Sequence, residues 1–164
     1  MQLINQSVFF FFFLGGVLTG LGADDYVFTT AVIDYFPAPG QHINTSMGTP
    51  EKANELVQGI QSGISLGAFG GYIIFYFQDG IDNDPDNPYG VDFTIFGNSF
   101  TGSAEPGIVQ VMKDENQNGI PDDTWYELAG SLHYSNLIDT GYSLSYYPPA
   151  SGSGNILWKD KRGK

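Results

Sequence analysis

The sequence predicts an all-β fold, a β-sandwich or jelly roll of antiparallel sheets carrying one short helix at about residues 50–60. Three observations predict it. Short runs of β-branched and aromatic residues recur along the chain, Gly, Pro, Asn and Asp turn clusters separate them, and only one stretch carries helix signals. Aromatic residues make up 15% of the 164 residues, with 10 Tyr and 13 Phe, so a core can form although the chain has no cysteine.

The N-terminus comes first. Val8–Leu21 is a run of Phe, Leu, Val and Gly, and no charged residue precedes Asp24. Gly20, Gly22 and Ala23 follow as small residues, so residues 1–23 read as a secretory leader cleaved near Gly22 or Ala23. The run falls short of the roughly 20 residues that cross a bilayer, and no membrane insertion is expected after cleavage. Met1–Ser7 carries no Lys or Arg, which departs from the leader pattern. The alternative is a buried N-terminal strand containing the five consecutive phenylalanines Phe9–Phe13.

Residues 24–164 are then expected to form one surface domain. Tyr26–Phe36 reads as a strand and Pro37-Ala38-Pro39-Gly40 stops it. Thr49 as N-cap and Pro50 at the first helical position open the helix, which runs from Glu51 to about Ile60 and closes at Ser62-Gly63. Further strands are expected over Gly71–Phe77, Val91–Phe96, Gly107–Met112, Thr124–Leu128 and Tyr142–Tyr147, with Ile156–Trp158 last.

Charge narrows the function classes. There are 18 acidic and 6 basic residues, for a net charge of -12, and between Ala53 and Trp158 the only basic residue is Lys113. A nucleic-acid partner needs Lys and Arg to displace condensed counterions, so this surface excludes one.

The most informative stretch is Asp114–Asp123. Oxygen side chains fall at Asp114, Asn116 and Asn118, then Gly119 permits a turn, then Asp122 and Asp123 follow. Calcium takes six to eight hard oxygen ligands in a flexible cage, and alternate residues of a curling loop face inward. The expected ligands are Asp114, Asn116, Asn118, the Ile120 carbonyl, Asp122 and Asp123, completed by Glu127 or a distant carboxylate. Trp125 stands where an EF-hand would carry its bidentate Glu, and the flanks read as strands, so the site should sit in a β-hairpin. The competing reading is an Asx-rich turn. Repulsion of roughly 4 kcal/mol between carboxylates about 4 Å apart, at an effective dielectric near 20, tilts the choice toward a bound cation.

A second acidic stretch places Asp82, Asp84 and Asp86 at alternate positions. Pro85 and Pro88 constrain its curl, so a solvated loop is preferred over a second metal site. Catalysis finds little support: His42 and His133 lie outside any metal or nucleophile motif, and Asp92 with Glu105 is a pair that any acidic β-protein offers. Trp125 and Tyr126, leaving the acidic loop directly, are the candidate platform for a flat ligand.

Several segments carry a resemblance. They are Pro37-Ala38-Pro39-Gly40-Gln41, Ser65 through Tyr72, Asp92-Phe93, Gly97-Asn98-Ser99-Phe100, Glu105 through Val109, and Asp114–Asp123 continuing to Ser131. Together, covering most of the chain after the leader, they resemble a domain of cell-surface proteins in Bacteroidetes-type bacteria, often near carbohydrate- or cofactor-uptake systems. The resemblance implies an extracytoplasmic β-sandwich without catalysis, secreted or held at the cell surface. Its expected ligand is a glycan or another small nutrient molecule. The competing expectation is a structural or adhesive domain with a surface-protein partner, and a weaker one is a sugar hydrolase. Two departures stand out: the 79–87 loop is longer and more acidic than in the family, and relatives continue beyond Trp158, which reads this chain as a truncated copy.

Overall fold

In a computed structural model, residues 6–10, 17–19, 27–58, 62–86, 88–97, 101–102, 107–135, 139 and 141–163 are described. Among them are ten strands and one α-helix, and every ladder is antiparallel. The chain divides into two compact units, Met1–Leu128 and Ala129–Lys164.

In the first unit, strands β1 (Gln6–Phe10) and β2 (Val17–Thr19) fall within the stretch that reads as a leader. The predicted Tyr26–Phe36 strand is two strands, β3 (Val27–Phe28) and β4 (Ala31–Phe36). The break has a physical cause. Thr29 is buried and its hydroxyl donates to the Leu56 carbonyl at 3.2 Å, while the Thr29 carbonyl accepts from Gln58 N–H at 2.8 Å. These bonds withdraw Thr29 from any ladder, and the strand changes sheet across Thr29-Thr30.

Helix α1 (Pro50–Asn54) begins as expected, with the Thr49 hydroxyl accepting from Lys52 N–H at 3.2 Å and Pro50 in the first turn. It ends earlier than expected. Gln58 adopts φ 58 to reach the Thr29 carbonyl, which no continuing helix allows; Ile60 lies outside the described residues.

Strands β5 (Tyr72–Tyr76), β6 (Phe93–Ile95), β7 (Val109–Lys113) and β8 (Trp125–Glu127) follow the predicted runs. They form a five-stranded sheet, ordered β4-β5-β1-β7-β8, and a three-stranded sheet, ordered β3-β2-β6. The core joins Ala53 and Leu56 with Ile64, Leu66, Ile73, Phe75, Phe77 and Ile81, and Phe93 and Ile95 of β6 pack against it.

A tight backbone crossing anchors the expected Pro37–Gly40 turn. Ala38 N–H donates to the Leu66 carbonyl at 3.0 Å, bringing Ala38 against Gly67 and Gly71. Gly67 has φ +79, and a Cβ there would lie 1.9 Å from the Ala38 carbonyl oxygen. Only glycine fits both requirements.

The second unit carries the hairpin β9 (Leu144–Tyr147) and β10 (Leu157–Asp160), with Trp158 opposite Tyr146 and Leu157 opposite Tyr147. Asp139 forms ion pairs with Lys161 and Arg162 beside it. No helix among the described residues is long and apolar enough to cross a membrane.

Candidate metal centre

The acidic stretch Asp114–Asp123 is the connection of a β-hairpin. β7 and β8 pair through Gln110–Glu127, Val111–Tyr126 and Met112–Trp125, so the loop leaves one strand and enters the next at the edge of the sheet.

Its curl is organised by Asp114, which is 6% exposed while residues 115–120 are exposed. The Asp114 Oδ1 accepts from Asn118 N–H at 3.1 Å and Oδ2 from Gly119 N–H at 2.8 Å. Left-handed backbone at Gln117 (φ 58) and Gly119 (φ 71) turns those N–H groups inward. Asn116 Oδ1 also accepts from Asn118 N–H, at 2.9 Å, and Asn118 Oδ1 accepts from Ile120 N–H at 2.7 Å. Asp123 Oδ2 closes the loop by accepting from Glu115 N–H at 3.1 Å.

One contact bears on cation binding. Asn118 Nδ2 donates to both oxygens of Asp122, each at 3.3 Å. A partially positive amide group thus stands against the Asp122 carboxylate, and rotating the amide would present Oδ1 there instead. No ion pair among the described residues involves Asp114, Asp122 or Asp123.

The predicted ligands are only partly gathered. Asp114, Asn116, Asn118 and Asp122 are linked through the contacts above, and Asp123 lies at the loop mouth. The Ile120 carbonyl accepts from Asp122 N–H at 2.8 Å, which keeps it within the turn. Glu127 stands opposite Gln110, two residues past Trp125 and down the strand from the loop. Among the described residues no three His, Asp or Glu side chains converge to hold a metal ion by themselves. An ion in this loop would need the Asn amides and backbone carbonyls to complete its shell. That donor set fits calcium, which takes neutral oxygens readily, and does not suit zinc.

Asp82, Asp84 and Asp86 are not drawn together in this way. Asp84 Oδ1 accepts from Asp86 N–H at 2.9 Å, an Asx turn, while Asp82 and Asp86 are exposed. The loop ends at Tyr89, which is 99% exposed with φ 61.

Trp125 and Tyr126 do not form one platform. Successive strand residues point to opposite faces, so Trp125 shares the face of Met112 and Tyr126 the face of Val111. The Trp125 indole N–H reaches back to the Pro121 carbonyl at 3.4 Å, closing over the base of the loop, and Tyr126 is left 61% exposed. Alternation along a strand makes this separation readable from the dipeptide itself. Of the carboxylates weighed for hydrolysis, Asp92 precedes β6 and Glu105 lies outside the described residues.

Comparison of the chain with protein-family models, with curated proteins and with solved structures finds no match.

Proposed function

We propose that this chain is an exported, calcium-stabilised β-sandwich module that binds a glycan or another small nutrient molecule at the cell surface without catalysis. One observation carries the metal reading: the loop is already curled around Asp114, the only one of its acidic residues that is buried. Each Asp114 oxygen keeps a lone pair after accepting one N–H. Asn118 beside Asp122 supplies a neutral oxygen once its amide rotates and gives up its bond from Ile120 N–H. In this reading calcium replaces the Asn118 amide protons as the positive partner of Asp122, and relieves repulsion that only Lys113 could offset in the neighbouring sequence.

The sandwich assignment draws support from Phe93 and Ile95 of the smaller sheet packing on the core that contains Ile73 and Phe75 of the larger sheet. The export assignment draws support from the apolar N-terminal run. Ligand contact is assigned to the exposed Tyr126 face. A protein partner is the second reading, and it draws on β8 lying at the edge of the five-stranded sheet among the described residues.

The test is thermal unfolding of the full chain in EDTA and across a calcium titration, with magnesium as control. Native-state binding raises the melting temperature progressively with ion concentration. The effect is expected between micromolar and millimolar calcium, and Asp114→Ala should abolish it. An unchanged melting temperature reduces the loop to a turn and removes calcium from the reading.

A further inference from the structure

We infer that the gap between β5 and β7 is a strand-accepting slot that residues 6–10 of this chain must fill for the five-stranded sheet to hold. β1 is antiparallel to both neighbours. On one side Ser7, Val8 and Phe9 stand opposite Tyr76, Phe75 and Ile74. On the other, Gln6 through Phe10 stand opposite Lys113 through Val109. β5 and β7 therefore run parallel to each other with one strand between them, about 9–10 Å apart, beyond hydrogen-bonding reach.

The slot lies at the centre of the sheet, not at its rim. β5 carries the buried Ile73, Ile74 and Phe75, and β7 carries the buried Met112. Removing β1 leaves facing rows of backbone N–H and C=O groups without partners beside these residues, and such groups are rarely left unpaired when buried. The sheet would then separate into the pairs β4-β5 and β7-β8.

The segment that fills the slot, Gln6-Ser7-Val8-Phe9-Phe10, lies in the charge-free run that reads as an export leader. One stretch of chain thus carries two roles, and loss of the leader opens the centre of the sheet. The chain without it needs a replacement strand that is extended, uncharged and antiparallel to both β5 and β7. This inference does not depend on calcium.

The experiment uses the full chain with a specific protease site introduced at Asp24-Asp25. The folded protein is cut there and passed over a size-exclusion column, while hydrogen exchange follows the amides of Tyr72–Tyr76 and Val109–Lys113. Because β2 also holds this peptide, through β3 and β6, the readout is exchange: a filled slot keeps both strands protected while the peptide stays, and both lose protection when it leaves. Val8→Pro, which removes a donor and clashes within a central strand, should lower the melting temperature of the uncut chain by about 10 °C. It should also speed exchange in β5 and β7. A peptide that separates while the remaining chain keeps its melting temperature and its slow-exchanging amides overturns the inference, as does a Val8→Pro chain that melts like the parent.

Discussion

Asp114 accepts the Gly119 N–H through Oδ2 at 2.8 Å, five residues along a loop that otherwise faces solvent. With the Asn118 N–H on Oδ1 at 3.1 Å, one side chain holds both amides at the turn of the hairpin. The same group that would lead a calcium shell is therefore a structural acceptor before any ion arrives.

That double role separates two substitutions. In EDTA, Asp114→Ala strands the Gly119 N–H and leaves the Asn118 N–H with Asn116 Oδ1 alone, and should cost about 1 kcal/mol. Asp114→Asn keeps one acceptor oxygen and should cost roughly half as much. Both should lose the calcium-induced rise in melting temperature. Denaturant unfolding in EDTA and in calcium distinguishes the structural loss from the metal loss. Equal stability of Asp114→Ala and the parent in EDTA would contradict the structural role.

The close crossing at Gly71 leads to a second expectation. A Cβ at Gly71 would stand 1.8 Å from the Leu66 carbonyl oxygen and 2.8 Å from Ala38 N. Both are backbone atoms, so nothing flexible can move aside. Gly71→Ala should destabilise by about 3 kcal/mol or more, whatever the calcium level. Gly97→Ala is the control, since no atom of the described residues beyond its chain neighbours lies within 4 Å of a Cβ built there. Comparable unfolding midpoints for the two variants would mean that the crossing relaxes easily.

The difference between these two glycines was not legible in the sequence, and neither was the strand order. Local runs such as Tyr72–Tyr76 and Leu144–Tyr147 are readable because β-branched and aromatic residues between turn formers need no distant partner to identify them. The acidic loop is readable as a hairpin because its flanks are strands and its glycine sits where the chain must turn. The break at Thr29 depends on Leu56 and Gln58, far along the chain, and the same bonds end the helix. Pairing of β1 with β5 and β7 is likewise a long-range choice. No periodicity within Gln6–Phe10 announces it, since a charge-free run suits a leader and a central strand equally.

Trp125 and Tyr126 should separate cleanly in experiment. Tyr126→Ala removes an exposed ring and should change stability by no more than about 0.5 kcal/mol. If the Tyr126 face carries the ligand, it should weaken glycan retention on an array by roughly tenfold. Trp125→Ala removes a half-buried ring that closes the loop through Pro121, and should cost about 1–2 kcal/mol while raising the calcium midpoint. A Tyr126→Ala protein with unchanged retention on every glycan tested would shift the search to protein partners.

Tyr35 makes the fold sensitive to alkaline pH. Its hydroxyl donates to the Ser65 carbonyl at 2.5 Å, tying β4 to the segment that precedes β5. Burial pushes its pKa from 10.0 up to about 12. The bond needs the protonated phenol. Below pH 10 both folded and unfolded chains hold that proton, and the contribution is complete. Between pH 10 and about 12 the unfolded chain releases the proton while the folded one keeps it, so stability falls with rising pH across that window. Tyr72 and Tyr146 also have raised pKa values, the first through its hydrogen bond to Asp34 and the second through burial, so the fall is shared. Tyr35→Phe should therefore be less stable than the parent at pH 8, by about 1 kcal/mol for the lost hydrogen bond. It should also lose stability less steeply above pH 10, so that the gap between the two proteins narrows. Denaturant midpoints at pH 8, 10 and 11 measure both effects, and a gap that stays constant would show that the phenol does not titrate with folding.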